Sequence, residues 1–564
     1  MIPFDLRQVP FSRGGSFLVF SHLSATSDHS DGLFFRTVHG GTALWAIFRL
    51  DVLANGQPVP FAEVATPAVL RLETGEAVVE LCIAEPHVVR VRGTGAGLRL
   101  ALQHRHGETV FRGEGSQWHV NAAASHGQYL ITPLVGQIRA AASWNGVESH
   151  AVSFDFTPDP ATATFECAIE EYTTVWHKRG YHAPFDACVR KIEVEFQDWL
   201  AHTLLLPEPL TEARALAAYV NWSSVVPPEG HLKRPAMYMS KNWMTNVWSW
   251  DHCFNALALI DGQPELAWDQ FMIMADHQHE SGAYPDSVND RRLMWNFCKP
   301  PVHGWTLRQL MRRPFVDDTR LREAYEPLCR WTDWWFDYRD DNHNGLPQYN
   351  HGNDSGWDNA TVFAPGMPME TPDLAAFLIL QMDVLAEVAW RLGKTAEAQR
   401  WKHRADELLQ RMLAYFWTED HFVGRYRESP IESECLLLFL PLVLGERLPS
   451  SILAALLAGL KQPGRFITAH GFATESPASP RYEPDGYWRG PIWAPSTLLL
   501  IDGLKRVGEP ELARDMSRRF CDMAARSGMA ENFDALTGAG LRDRAYTWTS
   551  SVFLILGHDL LAES

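Results

Sequence analysis

The stretch His351-Gly352-Asn353-Asp354-Ser355-Gly356-Trp357-Asp358-Asn359 gathers two carboxylates, a histidine, two asparagines and a tryptophan around two glycines. Glycine supports tight turns, Asn and Asp prefer caps and loops, and an indole offers a flat face with a polar edge. An acid beside a stacking surface suits a sugar-processing site. Cleaving a glycosidic bond takes two carboxyl groups on opposite sides of it. One donates a proton to the leaving oxygen, and the other activates water or attacks directly. Asp354 and Asp358 are equal candidates within this stretch, and Glu531 in Glu531-Asn532-Phe533-Asp534 is a candidate for the opposing group. A single loop carboxylate is most often a cap or a solvent-facing charge, so the reading depends on other loops sharing this composition.

They do. Trp248-Ser249-Trp250-Asp251, Lys299-Pro300-Pro301 and Tyr487-Trp488-Arg489-Gly490-Pro491-Ile492-Trp493 have the same polar, aromatic and Gly/Pro-rich character. Of 22 tryptophans, 17 follow residue 200, which fits either large packed helices with Trp as filler or a wide aromatic cleft in the second part of the chain. Trp250 and Asp251 can hold a sugar, by a ring face for C–H surface and a carboxylate for two hydroxyls. Trp243, Trp248, Trp305, Trp488 and Trp493 are candidate walls, some of them core, and Trp357 can desolvate Asp358. Arg489 can bind sugar hydroxyls, a substrate carboxylate, or a neighbouring acid that holds its own loop. Lys299 can bind substrate or neutralise Asp286 or Asp290.

The elements that must position these residues fall into two regions. From about residue 13 to 175 the apolar residues alternate with period two, as in Ser16-Phe17-Leu18-Val19-Phe20, Leu44-Trp45-Ala46-Ile47-Phe48 and Val88-Val89-Arg90-Val91-Arg92. Turn signals recur at intervals suited to an antiparallel β-sandwich, expected over 1–183. Its histidines (His104, His106, His119 and His126) show no ligand-like clustering. Pro184 opens a helical period read as a linker over 184–207. From 208 to 564 the period is helical nearly throughout. About twelve helices are expected, from 210–222 to 545–561, among them 264–278, 431–443 and 489–507. Paired by short turns, they can close into an (α/α)6 barrel with long loops around a cleft at one end. The expected fold is therefore α+β and multidomain.

A formal net charge of −18 argues against nucleic acid or an anionic membrane as partner. The start of the chain shows no secretory signal, and no apolar run is long enough to span a membrane. Eight scattered cysteines without a CxxC pair fit reduced thiols in a cytoplasmic protein better than disulfides or zinc. No cofactor or metal is expected. Asp340-Asp341-Asn342-His343-Asn344-Gly345 is similar to half of a calcium loop, but the twelfth position is His351 rather than Glu, so a turn is expected.

Ser355-Gly356-Trp357-Asp358-Asn359, Tyr487-Trp488-Arg489-Gly490-Pro491-Ile492-Trp493, Trp248-Ser249-Trp250-Asp251, Lys299-Pro300-Pro301 and the Glu531-Asn532-Phe533-Asp534 block with Thr537-Gly538 resemble, in order, glycoside hydrolase family 63. They are also similar to the trehalases of family 37 and to bacterial mannosylglycerate and glucosylglycerate hydrolases. The resemblance covers most of 210–564. It implies an (α/α)6 barrel and inversion at an α-glycosidic bond, with Asp358 as general acid and Glu531 as general base. It leaves Asp354 a supporting role. Two departures stand out: Asp354 replaces a frequent Glu, and Phe533 replaces a frequent Tyr. Desolvation by Trp357 and the negative charge of Glu531 would raise the Asp358 pKa as an acid requires.

The expected function is hydrolysis of an α-glycosidic, most simply α-glucosidic, bond in a small carbohydrate. An α-rhamnosidase-like hydrolase, a glycoside phosphorylase and a non-catalytic sugar-binding protein are the alternatives. Two carboxylates favour hydrolysis over phosphorolysis, which needs one acid and a phosphate pocket.

Overall fold

The structure, a computed structural model, describes residues 3–26, 29–41, 46–103, 105–125 and 127–562. His104, His126, Leu44 and Trp45 lie outside the described residues. The chain forms two compact units. The first comprises Met1–Ala201, Ala218–Pro227 and Ser240–Thr245, and the second His202–Ala217, Pro228–Met239 and Asn246–Ser564.

The first unit contains two eight-stranded antiparallel sheets. One runs in the order Phe11–Ser12, Leu18–Leu23, Gly32–Thr37, Ala46–Ala54, Gly97–Leu102, Ser149–Thr157, Gln137–Trp144, with Gln57–Pro58 on the side of Ala46–Ala54. The other runs Thr109–Arg112, Trp118–Ala122, Gly127–Val135, Thr164–Tyr172, Val88–Thr94, Ala77–Glu85, Leu70–Thr74, Ala62–Ala65. The period-two pattern has its physical cause in the shared core. Leu18, Phe20, Leu33 and Phe35 of the first sheet pack in one apolar cluster with Leu70, Leu72, Val89 and Val91 of the second. The Phe35 and Tyr129 rings meet edge to face across it, 5.6 Å apart. Each such side chain removed from water contributes about 1.5–3 kcal/mol. Helix α1 (Phe185–Ala201), the expected linker, packs on the strands Ala77–Glu85 and Val88–Thr94, and Arg13 binds its Glu195. The loop Ser240–Thr245, within the expected helical domain, counts with this first unit. Its Lys241 amine is buried against Ser12 Oγ at 3.1 Å and the Ser16 carbonyl at 2.5 Å.

After α2 (Thr211–Ser224), the second unit continues with α3 (Asp251–Leu259), α4 (Pro264–Met272), α5 (His303–Leu310), α6 (Asp318–Tyr338), α7 (Pro372–Arg391) and α8 (Thr395–Phe416). A 3-10 run (Leu436–Arg447) precedes α9 (Ser450–Leu460), α10 (Ala494–Arg506), α11 (Pro510–Ser527) and α12 (Thr547–Ala562). Six of these make a closed inner ring: α3 touches α5, then α7, the 3-10 run, α10 and α12 follow, and α12 returns to α3. The arrangement is an (α/α)6 barrel. Burial matches position. Helix α7 is buried around most of its circumference, as an inner helix must be. Outer α8 buries a stripe including Ala398, Trp401, Ala405, Leu408 and Met412.

Three expected helices differ in extent. In place of the helix expected over 431–443, the 3-10 run begins only at Leu436, because Pro441 removes a backbone donor and Gly445 (φ 57°, ψ −131°) breaks the geometry. The helix expected over 489–507 begins at Ala494, since Gly490 (φ 152°) and Pro491 hold the preceding residues in a loop. The helix expected over 264–278 stops at Met272, and a short 3-10 turn (Ala275–His277) follows. The segment Asp340-Asp341-Asn342-His343-Asn344-Gly345 is a turn, with Asp340 accepting from the Asn344 and Gly345 amides at 3.1 and 3.0 Å. No helix among the described residues is long and apolar enough to cross a membrane.

Candidate active site

The sequence-predicted site residues lie on the first turn of an inner helix or in the loops that lead into one. Asp251 opens α3, and Lys299 precedes α5. The Asp358 loop leads into α7, residues 487–493 into α10, and Glu531 into α12.

Two glycines explain how the Asp358 loop folds. Gly356 has φ 74°, and a Cβ there would sit 2.5 Å from the Trp250 indole. A Cβ on Gly352 would meet the Asp358 carbonyl oxygen at 2.1 Å. Asp354 then organises the loop. It is 1% exposed and accepts from the Cys298, Asn350 and His351 amides at 3.1, 2.9 and 3.1 Å, and from Arg339 at 3.2 Å. With its oxygens so occupied, Asp354 is a structural acceptor. Among the described residues the Asp358 carboxylate accepts from Asn353 Nδ2 at 3.3 Å.

Cross-loop hydrogen bonds draw the segments together. Asn359 donates to the Gly486 carbonyl at 3.0 Å and accepts from the Trp488 amide at 3.0 Å. Arg489 donates to the Asn359 carbonyl at 2.9 Å and pairs with Glu483 at 3.2 Å, so its guanidinium fastens the two loops. Ile492 and Phe533 exchange backbone hydrogen bonds of 2.7 and 3.0 Å, joining the 487–493 loop to the Glu531 loop. Lys299, 4% exposed, pairs with Asp286 at 2.9 Å and donates to the Asn353 carbonyl at 3.0 Å and to its side chain. Trp357, Trp488 and Trp493 form a buried column. The first two rings are 4.7 Å apart, and the last two stack at 3.9 Å and 6°. Trp250 packs beside it, 6.3 Å from Trp488.

Glu531 is held from the backbone outward. Its amide donates to the Asp543 carbonyl at 2.7 Å, and its carbonyl accepts from the Trp548 indole at 3.3 Å. Its carboxylate accepts from the Tyr487 hydroxyl at 3.1 Å. Burial, then the negative charge of Asp543, pushes the Glu531 carboxyl up to about 7, against the Tyr487 hydrogen bond and the Arg542 cation, while Asp358 adds a further upward push. Burial also raises Asp358, which the Lys299 cation opposes. Asp251 rises well above the carboxylate range through burial, again opposed by Lys299 and reinforced by Asp286 and Asp358. One electrostatic field thus joins Asp251, Asp286, Lys299, Asp358 and Glu531. Perturbed carboxylates converging in a sheltered site are what acid–base chemistry needs.

A family model described as "Mannosylglycerate hydrolase MGH1-like glycoside hydrolase domain" matches residues 244–549, more than half of the chain. The chain belongs to this glycoside hydrolase family. Among relatives, mannosylglycerate hydrolase MGH1 of Selaginella moellendorffii is 22% identical over 394 residues, covering 54% of this chain and 79% of the relative. Glucosylglycerate hydrolase of Mycolicibacterium hassiacum is 22% identical over 411 residues, covering 55% of this chain and 91% of the relative. A bacterial glucoamylase solved with acarbose has the same fold at a TM-score of 0.63 and 10% identity, over 99% of this chain and 94% of that one.

Two residues of this MGH1-like hydrolase escape sequence reasoning as individuals. Tyr487 has φ 63°, a strained value for a tyrosine, and packs its ring against Trp493 at 4.8 Å with the Arg542 guanidinium 4.8 Å from its centre. Arg542 (φ 58°) also donates to Asn532 Oδ1 at 3.2 Å and pairs with Asp485 at 2.6 Å. Tyr487 stands in a motif that sequence alone can flag, but nothing in the motif says that its hydroxyl reaches Glu531. Phe533 is fully buried, 6.0 Å from Phe520, and the hydroxyl at Glu531 comes from Tyr487. Asn532 Nδ2 is buried with no hydrogen-bond partner among the described residues.

Proposed function

We propose that this hydrolase cleaves an α-glycosidic bond of a small glycoside with inversion, Asp358 acting as general acid and Glu531 as general base. The observation that carries the reading is the placement of these two carboxyls on loops that enter different inner helices and are tied to each other through Asn359, the 486–493 segment and the Ile492–Phe533 pairing. Asp358 protonates the leaving oxygen. Glu531 takes a proton from a water on the opposite face of the sugar. Trp250 and Asp251 hold the sugar, and Lys299 keeps Asp286 ionised and Asn353 in place. Trp357, Trp488 and Trp493 exclude water from behind the carboxyls, and Arg489 locks the loops.

The sugar is proposed to be glucose, and glycosylglycerates are the substrates to try first, because the relatives carry those activities in their names. The eight free cysteines support a reducing, cytoplasmic setting.

The role assignment rests on the motif match. The field of the free site does not by itself choose between the two carboxyls, since Glu531 rises to about 7 while Lys299 favours ionised Asp358. Glycosyl fluorides decide it, because fluoride leaves without a proton. Asp358→Ala should lose hydrolysis of the natural glycoside yet retain cleavage of the α-glycosyl fluoride, whereas Glu531→Ala should lose both. The reverse pattern would exchange the roles, and two fully active variants would remove both residues from the mechanism.

A further inference from the structure

Behind Asp251, at the start of two neighbouring inner helices, lies a buried set that the glycosidase chemistry does not use. His252 and Cys253 stand in the first turn of α3, and His303 opens α5. One ligand-capable atom from each lies within 4.8 Å of the others, and all three residues are buried. His252 Nδ1 is 2.9 Å from the Trp248 carbonyl, which makes Nδ1 the protonated nitrogen and leaves Nε2 as a lone-pair donor. That Nε2 is 3.7 Å from the Cys253 sulfur. An imidazole anchored through its far nitrogen to a backbone carbonyl is the usual second contact of a metal-bound histidine.

His303 supplies the independent observation. It is 1% exposed, and neither ring nitrogen has a hydrogen-bond partner among the described residues. Its neighbours are rings: His252 at 5.2 Å, Tyr284 at 5.1 Å and Trp331 at 6.3 Å between centroids. A buried polar group without a partner costs about 1–3 kcal/mol, so a histidine at this place calls for a ligand.

We propose that His252 Nε2, Cys253 Sγ and a ring nitrogen of His303 bind one zinc ion. A thiolate and two imidazoles are a donor set that zinc favours, with metal–sulfur near 2.3 Å and metal–nitrogen near 2.0–2.1 Å. The 3.7 Å separation of Nε2 and Sγ already fits two corners of a tetrahedron of that size. His303 closes the third corner by a small inward rotation. On binding, the Cys253 thiol gives up its proton to solvent as the zinc–sulfur bond forms, and a water takes the fourth position. The ion would fasten the first turns of α3 and α5 directly behind Trp250 and Asp251, acting on the architecture of the sugar pocket.

The test uses the full chain, stripped with a chelator, reloaded with zinc and desalted. Elemental analysis should find one zinc per chain, and X-ray absorption at the zinc edge should show one sulfur and two nitrogen neighbours. Cobalt loading should give a thiolate-to-cobalt charge-transfer band that Cys253→Ser abolishes. Zinc-loaded wild type should melt at a higher temperature than the stripped protein, and Cys253→Ser should lose that difference. Should His303→Ala fail to fold, the wild-type metal content and edge spectrum still decide. Folded wild type that retains no zinc, or retains it without a sulfur neighbour, overturns the proposal.

Discussion

The Tyr487 hydroxyl donates to Glu531 at 3.1 Å from a backbone held at φ 63°, with the Arg542 guanidinium over the tyrosine ring, 4.8 Å from its centre. Strain at one residue is thereby spent on placing one proton donor. The hydrogen bond favours ionised Glu531, so its removal lets burial and Asp543 raise the carboxyl further. Tyr487→Phe should therefore shift the acidic limb of kcat/KM to higher pH. It should lower kcat/KM at neutral pH about tenfold, the size of one hydrogen bond to a charged group. A pH–rate profile of the variant checks both effects.

The pH profile of the wild type also has a defined sign. A base must be ionised, and Glu531 titrates at about 7 in the free site. Activity in kcat/KM should therefore rise with pH through about 7 as Glu531 ionises. A profile that falls through this range with rising pH would mean that protonated Glu531 is the active form. Asp543→Asn removes a like charge and should move the rising limb to lower pH, the opposite direction to Tyr487→Phe.

Asp354 tests the loop rather than the chemistry. Asp354→Asn replaces an oxygen that accepts from two backbone amides and Arg339, or the one that accepts from Cys298, with an amino group. Breaking this buried charged network should cost roughly 3 kcal/mol, visible as a lower melting temperature. Activity should fall with the order of the loop, while the pH optimum stays near that of the wild type.

Gly356→Ala should be nearly as severe. The new methyl meets the Trp250 ring at 2.5 Å, and the φ of 74° is strained for alanine. A cost of at least about 1 kcal/mol in stability is expected, with a larger loss in kcat because the displaced groups are Trp250 and the Asp358 loop. Thermal unfolding and steady-state kinetics on the same preparation separate the two.

Much of this was readable from residue types. Alternating residues such as Leu18 and Phe20 point into the sandwich core because a strand turns each successive side chain over. The loop composition around Asp358 and Glu531 marks both residues before any fold is known. Other features depend on contacts that no local pattern encodes. The ring closes through α12 meeting α3, and Tyr487 reaches Glu531 through the Ile492–Phe533 pairing. Arg489 could equally have faced substrate, and only its bonds to Asn359 and Glu483 reveal a fastener. Cys253 looked like one more scattered thiol because His303 comes from a different hairpin. The 3-10 run at Leu436–Arg447 was hidden by an apolar pattern that a helix shares, with Pro441 as the local sign against it.

Inverting hydrolysis by the Asp358–Glu531 pair is tested most directly by the anomer of the first product. Proton NMR during the first turnovers on α-glucosylglycerate, or on the α-glucoside a substrate screen finds fastest, should show the β-anomer of the released sugar before mutarotation. First appearance of the α-anomer would mean a retaining mechanism and contradict the account.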